Sequence, residues 1–94
     1  MSISLADSLC VGADVVFRQL DDEAVLLNLQ TGSYFGLDPV GTRIWLLIIQ
    51  HGSLARILEA MVAEYAADPE VIERDLLELS RQFCTKGLAD LKRF

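Results

Sequence analysis

This sequence of 94 residues is 52% hydrophobic and has a net charge of −6. A chain of this length can build one core and is too short for two, so we expect a single domain over residues 1–94. The acidic balance repels phosphate backbones and suits a neutral or basic partner, so we expect no nucleic-acid partner. The longest apolar run, residues 44–49, is far shorter than the roughly 20 residues of a membrane span, so we expect no membrane association.

The first fifteen residues, MSISLADSLCVGADV, lack the basic region and apolar stretch of a signal peptide. Cys10 and Cys84 stand alone in the sequence, without the spacing of metal ligands. Both features favour a cytoplasmic protein with reduced, structural thiols. The apolar content is high for so small a chain, which indicates that some apolar surface stays exposed for an interaction.

Three short segments rich in β-branched and aromatic residues predict an antiparallel meander. They cover residues 15–20, 24–29 and 33–37. An aspartate pair forms the first turn, and a Gln-Thr-Gly sequence forms the second. In the third strand, SYFGL, alternation places Ser33, Phe35 and Leu37 on one face and Tyr34 and Gly36 on the other.

Three helices are predicted after the strands, each behind a capping residue. Asp38 and Pro39 open the first helix, which extends to about His51 and is apolar nearly all round. It should therefore be the buried central helix, and we assign Leu37 and Trp45 to the core.

The second and third helices are amphipathic, with one apolar side each. Ser53 caps the second, whose apolar positions are Leu54, Ile57, Leu58, Met61, Val62 and Tyr65. Asp68 and Pro69 open the third, which stops at Lys86 and Gly87. Its core stripe is Ile72, Leu76, Leu79 and Phe83. The order βββααα predicts an α+β domain that is similar to a winged helix-turn-helix.

The sequence contains no constellation of catalytic residues. Its only histidine, His51, lies at a helix end, where a cation is stabilised by the helix dipole. No glycine-rich phosphate loop and no His/Cys zinc cluster is present. We therefore predict a protein that is not an enzyme and that uses no cofactor or metal.

Motifs along most of the chain resemble those of PqqD-like proteins. The resemblance begins with Leu27-Asn28 and Thr31-Gly32 and covers roughly residues 12–91. It continues through Tyr34, Leu37, Gly41, Ile44-Trp45, Leu54, Ile57, Tyr65, Asp75-Leu76, Leu79, Phe83 and Gly87-Leu88. This family comprises the RiPP recognition elements, which bind the leader segment of a ribosomally made precursor peptide and present it to modifying enzymes.

The resemblance implies that a leader peptide adds as a strand to the third strand and rests against the third helix. Peptide-binding residues are then Ser33, Tyr34, Phe35, Gly36, Leu37, Asp75, Leu79, Gln82 and Phe83. Partners would be the precursor peptide and a leader protease, cyclase or radical enzyme, and TGSYFGL favours a lasso-peptide pathway. Two residues depart from the family pattern: Ser80, where an apolar residue is more usual, and Phe83, where leucine is.

Two other functions are compatible with the predicted architecture. A free sheet edge would also serve a dimerisation or scaffold module, so a homodimer is an open alternative. A winged-helix DNA-binding protein is disfavoured because the start of the third helix carries Glu70, Glu73, Asp75 and Glu78 around a single Arg74.

Overall fold

The computed structural model describes residues 2–92 and has the predicted α+β architecture. The elements are β1 (Ser8–Val11), β2 (Val15–Leu20), β3 (Glu23–Asn28), β4 (Ser33–Leu37), α1 (Pro39–His51), α2 (Leu54–Glu64), α3 (Pro69–Thr85) and β5 (Ala89–Lys92). Strands β2, β3 and β4 form the predicted three-stranded antiparallel sheet, in that order. Helix α1 lies against β3 and β4, α2 against α1, and α3 against α2.

The three helices begin where their capping residues predict. The side chain of Asp38 accepts a hydrogen bond from the amide of Gly41 at 2.7 Å, and Asp68 accepts one from Glu70 at 2.9 Å. Ser53 does the same for α2. These contacts satisfy amides that have no partner within the helix, so the local sequence is enough to set each helix start.

A second sheet, formed by β1 and β5, was not predicted. These strands pair antiparallel, from Ser8 with Lys92 to Val11 with Ala89, and so join the two ends of the chain. The amide of Leu9 also donates to the carbonyl of Gly52 at 2.9 Å, which ties β1 to the α1–α2 junction. Each strand has four residues and its partner lies about eighty positions away, so no local pattern signals the pairing.

The predicted central residues of the core are buried, but α1 and α2 each bury fewer apolar side chains than predicted. Trp45 and Leu37 are buried, as predicted, together with Phe83. Helix α1 was predicted to be buried on nearly all sides, but Ile49 near its end is 58% exposed. On α2, Val62 is exposed as well, since the helix packs through one stripe only. No helix within residues 2–92 is long and apolar enough to cross a bilayer.

An ion pair joins the beginning of α1 to the end of α2. The guanidinium of Arg43 donates from Nε to both carboxylate oxygens of Glu64, at 2.9 and 3.2 Å. This hydrogen bonding lowers the pKa of Glu64 and raises that of Arg43. Solvent screens the pair, so it contributes at most about 1 kcal/mol and serves chiefly to orient the two helices.

Candidate functional site

The hydrogen-bond phase of the three-stranded sheet can be read from one contact at its end. The amide of Leu29 donates to the carbonyl of Asp14 at 2.8 Å, so these two residues form a hydrogen-bonded pair between the β2 and β3 sides. Successive residues of a strand direct their backbone groups to opposite sides. Along β3, therefore, Asn28, Leu26 and Ala24 direct their N–H and C=O groups toward β4.

This phase determines which backbone groups of the edge strand β4 are free. The β4 partners of these three β3 residues are Ser33, Phe35 and Leu37, whose backbone groups therefore point into the sheet. Tyr34 and Gly36 occupy the intervening positions, and their N–H and C=O groups point away from the sheet. The outer edge of β4 thus offers two donors and two acceptors at a spacing that suits an added strand.

One end of this edge faces α3 across a shallow depression. The depression has a volume of about 270 Å³ and lies between Phe35, Gly36 and Leu37 on one side and Leu79 and Gln82 on the other. Leu79 is half-buried because it lines this opening as well as the core. The mixture of apolar floor and polar rim is typical of a site that holds an apolar side chain.

A second depression, of about 390 Å³, lies at the other end of β4. There Ser33 and Tyr34 face Thr85 and Lys86 at the end of α3. Strand β4 and helix α3 therefore run antiparallel, and both depressions lie between them; together we call them the β4–α3 groove. Lys86 is the only cationic side chain among the described residues that line this second depression. This end of the groove therefore favours a negatively charged side chain of a bound peptide.

Aromatic rings form the floor of the groove. The ring of Phe35 meets the edge of the Phe83 ring at a centroid distance of 5.7 Å, and Phe83 meets Trp45 at 5.1 Å. Phe83 and Trp45 are completely buried, whereas Phe35 is half-buried. Edge-to-face packing of this kind fixes the orientation of each ring, so the floor is rigid beneath the exposed part of Phe35.

Asn28 holds the two walls of the groove together. Its buried amide nitrogen Nδ2 lies 3.2 Å from the carbonyl oxygen of Lys86 and 3.5 Å from that of Gly87, and its Oδ1 accepts from the amide of Gln30 at 2.9 Å. Gly87 has φ = +70°, and a Cβ there would lie 3.1 Å from the Asn28 amide. The side chain thus joins the β3–β4 turn to the end of α3 and satisfies carbonyls that the helix leaves free.

Replacing Asn28 with alanine should lower the free energy of unfolding by about 1–3 kcal/mol, because a buried side chain loses its part-buried hydrogen bonds to the two ends of the groove wall. The matched control is Gln30→Ala in the same turn, which removes one exposed hydrogen bond to Asp14 and should cost less than about 0.5 kcal/mol. Urea unfolding followed by circular dichroism measures both values. Equal costs for the two variants would contradict the role assigned to Asn28.

The predicted site residues separate into three groups in the structure. The β4 residues, Ser33 to Leu37, and the helix residues Leu79 and Gln82 line the groove. Phe83 has no exposed surface and lies beneath Phe35. Asp75 lies outside the lining, exposed beside Arg74, whose Nε is 3.8 Å from its Oδ1.

Several groove residues were not predicted from the sequence. Asn28, Thr85 and Lys86 line the far end, and Asn28 is the one whose signal was available, as a polar residue inside an apolar strand. Ser80, which departs from the family pattern, is fully buried, and its hydroxyl has no hydrogen-bond partner within residues 2–92. It therefore belongs to the core and does not line the groove.

Neither thiol belongs to the groove. Cys10 and Cys84 are free and half-buried. Burial raises the pKa of the Cys84 thiol, which reduces its thiolate fraction at neutral pH. Within residues 2–92, no group of three or more His, Cys, Asp or Glu side chains is placed to hold a metal ion.

Comparison with known proteins identifies the family of the chain. The family model for "Coenzyme PQQ synthesis protein D (PqqD)" matches residues 23–89, from the beginning of β3 to the first residue of β5, and includes β4 and α3. The chain belongs to the PqqD family. It is thereby one of the RiPP recognition elements, as its motifs indicated.

Two solved structures are similar to this PqqD-family chain. "TbiB1 in Complex with the TbiA(beta) Leader Peptide" is 45% identical, with a TM-score of 0.81 over 85% of this chain and 93% of that one. "Lasso peptide synthetase B1 complexed with the leader peptide" is 23% identical, with a TM-score of 0.79 over 88% and 98%, and shows the shared fold. No curated protein sequence matches this chain significantly.

Proposed function

We propose that this chain binds the leader segment of a precursor peptide, which adds as a strand to the outer edge of β4. It acts without catalysis and presents the bound peptide to a modifying enzyme such as a leader protease, cyclase or radical enzyme. The observation that carries this proposal is the pair of outward-facing residues, Tyr34 and Gly36, beside an aromatic-floored groove. The 45% identity to a protein held with a leader peptide supports it.

Backbone hydrogen bonds supply part of the affinity for the leader peptide but discriminate little between leader sequences. The two outward residues offer one N–H and one C=O each, so up to four hydrogen bonds form, worth about 2–6 kcal/mol together. Association itself costs about 4–15 kcal/mol in lost freedom of motion. Apolar side chains of the peptide must therefore supply the remainder, and the opening between Phe35 and Leu79 is placed to bury one of them.

Charge at the ends of the β4–α3 groove adds selection. Lys86 lines the far end, so a leader with an acidic residue beside it should bind better than one with a basic residue. Asp75 lies beyond the opposite end, where we keep it as a polar rim residue for longer leaders. In this arrangement Phe83 contributes only by supporting Phe35.

The acidic beginning of α3 argues against the DNA-binding alternative. The exposed charged residues there are one cation, Arg74, and three carboxylates, those of Glu70, Asp75 and Glu78. A recognition helix needs the opposite balance, because phosphate contacts dominate affinity for DNA.

The test is titration of the wild-type chain with a fluorescent synthetic peptide that carries the leader segment of the precursor encoded beside its gene. Fluorescence anisotropy measures affinity, and hydrogen exchange identifies the protected amides. We expect the amides of Tyr34 and Gly36 to exchange readily in the free protein and to become protected in the complex. The amides of Phe35 and Leu37 should be protected in both states, because they already pair with β3.

Absence of binding would contradict the proposal. Binding without protection of Tyr34 and Gly36 would show that the peptide uses another surface. A scrambled leader of the same composition is the control for nonspecific adhesion.

A further inference from the structure

A third depression lies beyond the Lys86 end of the β4–α3 groove. It has a volume of about 320 Å³ and lies between the connection from β1 to β2 on one side and the beginning of β5 on the other. Three of its lining residues, Asn28, Gln30 and Gly87, also line the end of the groove beside Lys86. The two depressions therefore adjoin, and a peptide that leaves the edge of β4 beside Ser33 can continue into the third.

Asn28 and Gly87 lie where the two depressions meet, and they keep the surface low there. The Asn28 side chain is buried, and its Nδ2 donates to the carbonyl of Lys86 at 3.2 Å, so it does not project outward. Gly87 carries no side chain, and its φ of +70° is one that favours glycine. A peptide backbone can therefore approach the protein backbone closely at this point.

Acidic side chains border the third depression. Asp14 and Asp90 are the only charged residues among the described residues that line it, and both are exposed. Asp14 is held by one hydrogen bond, which Gln30 Nε2 donates to Oδ2 at 2.8 Å, and its Oδ1 stays available to a ligand. Lys86 lines the adjoining depression but not this one. The charge therefore changes sign along the surface, from positive beside Lys86 to negative beside the two carboxylates.

We infer that the leader peptide continues past its paired strand into the third depression, where Asp14 and Asp90 select a lysine or arginine of the leader. This inference rests on the proposed function and extends its binding site. Backbone pairing with β4 discriminates little between sequences, so side-chain contacts outside the paired strand supply part of the selection. A leader with an acidic residue beside Lys86 and a basic residue further along matches the change of charge on this surface.

Two other occupants fit the third depression less well. A metal ion is disfavoured because, within residues 2–92, no group of three or more His, Cys, Asp or Glu side chains is placed to hold one. A second copy of this chain would bring a net charge of −6 to a depression that is itself acidic. The leader is favoured over both because its paired segment ends beside this depression, so its next residues are already held near the carboxylates.

Asp90→Lys tests the inference by reversing one carboxylate of the third depression. The matched control is Asp22→Lys, the same change of net charge at an exposed residue of the β2–β3 turn, at the opposite end of the sheet. Each chain is titrated by fluorescence anisotropy with the natural leader segment of the precursor encoded beside the gene and with a set of altered leader peptides. In each altered peptide one lysine or arginine is replaced by glutamate. Asp14→Lys is measured in the same way as a second variant, and circular dichroism shows whether each variant is folded.

We expect Asp90→Lys to weaken binding of the natural leader by about three- to tenfold, and Asp22→Lys to stay within about twofold of wild type because salt screens so distant a charge. One of the glutamate leaders should bind the wild-type chain about as weakly and regain affinity with Asp90→Lys, because the reversed pair of charges attracts again. A merely structural effect of the substitution would not restore binding to one peptide alone.

Equal losses for Asp90→Lys and Asp22→Lys overturn the inference, as does a set in which no glutamate leader regains affinity with either Asp90→Lys or Asp14→Lys. A natural leader that binds but carries no lysine or arginine also overturns it. A wild-type chain that binds neither the natural leader nor any altered peptide contradicts the proposed function itself, so the two failures are distinguishable.

Discussion

Replacing Gly36 with proline is expected to weaken leader binding by about 10- to 100-fold, equivalent to about 1.4–2.8 kcal/mol. The substitution removes one outward N–H donor and places a ring where the peptide backbone approaches. It leaves the β3–β4 ladder intact, because the amide of Gly36 points away from β3. Proline is tolerated at such edge positions, so the variant should still fold. Anisotropy with the fluorescent leader peptide measures the change.

The control for this prediction is Gly36→Ala, which retains the N–H and adds a Cβ into open space. It should keep leader affinity within about twofold of wild type, which is about 0.4 kcal/mol. Circular dichroism and a thermal melt show whether the proline variant is folded. If it is not, Tyr34→Pro removes the other outward donor and tests the same edge independently. A folded proline variant with wild-type affinity would exclude β4 as the pairing edge.

The largest effect on stability is expected for Phe83→Ala, which should lower the free energy of unfolding by about 3–5 kcal/mol. Phe83 is fully buried and packs edge-on against both Phe35 and Trp45. Its removal leaves a cavity and takes away the support beneath the groove. A domain of this size has a total stability of about 5–14 kcal/mol, so the variant loses a large part of it. Urea unfolding at 25 °C measures the difference.

The Phe83→Leu variant distinguishes the effect of the cavity from the effect of losing the aromatic ring. Leucine, which the family resemblance gives as the usual residue here, keeps most of the volume and should cost about 1–1.5 kcal/mol. The leucine variant should remain folded and bind leader more weakly than wild type, because Phe35 loses an edge-to-face partner worth about 0.5–1.5 kcal/mol. A cost below about 1 kcal/mol for Phe83→Ala would contradict the packed floor described above.

Much of the architecture could be predicted because its causes are local. Residues 15–20 and 33–37 match β2 and β4, and the strand predicted over residues 24–29 is displaced by one position from β3. The helix starts follow from Asp38, Ser53 and Asp68, each of which caps backbone amides two or three positions ahead. Alternation within SYFGL also correctly separated Tyr34 from the face of Phe35 and Leu37, since side-chain direction in a strand depends only on parity.

The candidate site could be predicted only in part. Five β4 residues and two α3 residues that the resemblance gave as peptide-binding line the groove, and their role in binding stays a prediction. The periodicity of α3 alone could not separate the residues of the groove wall from those beneath its floor. Leu79 and Phe83 lie on the same side of that helix. Only the packing against β4 determines that Leu79 lines the groove and that Phe83 lies beneath it and supports Phe35. Asp75 lies one turn too far from the strand to join them.

The sequence by itself determined three strands, three capped helices, an acidic surface and a family membership, because each depends on short-range patterns or on residues in a fixed order. Only the tertiary structure decided the rest. The β1–β5 sheet pairs residues at opposite ends of the chain, and the Asn28 amide meets carbonyls 58 and 59 positions away. The free backbone groups of Tyr34 and Gly36 follow from a hydrogen-bond phase set between β2 and β3. Such contacts carry no local signal, since they form only when distant segments pack together.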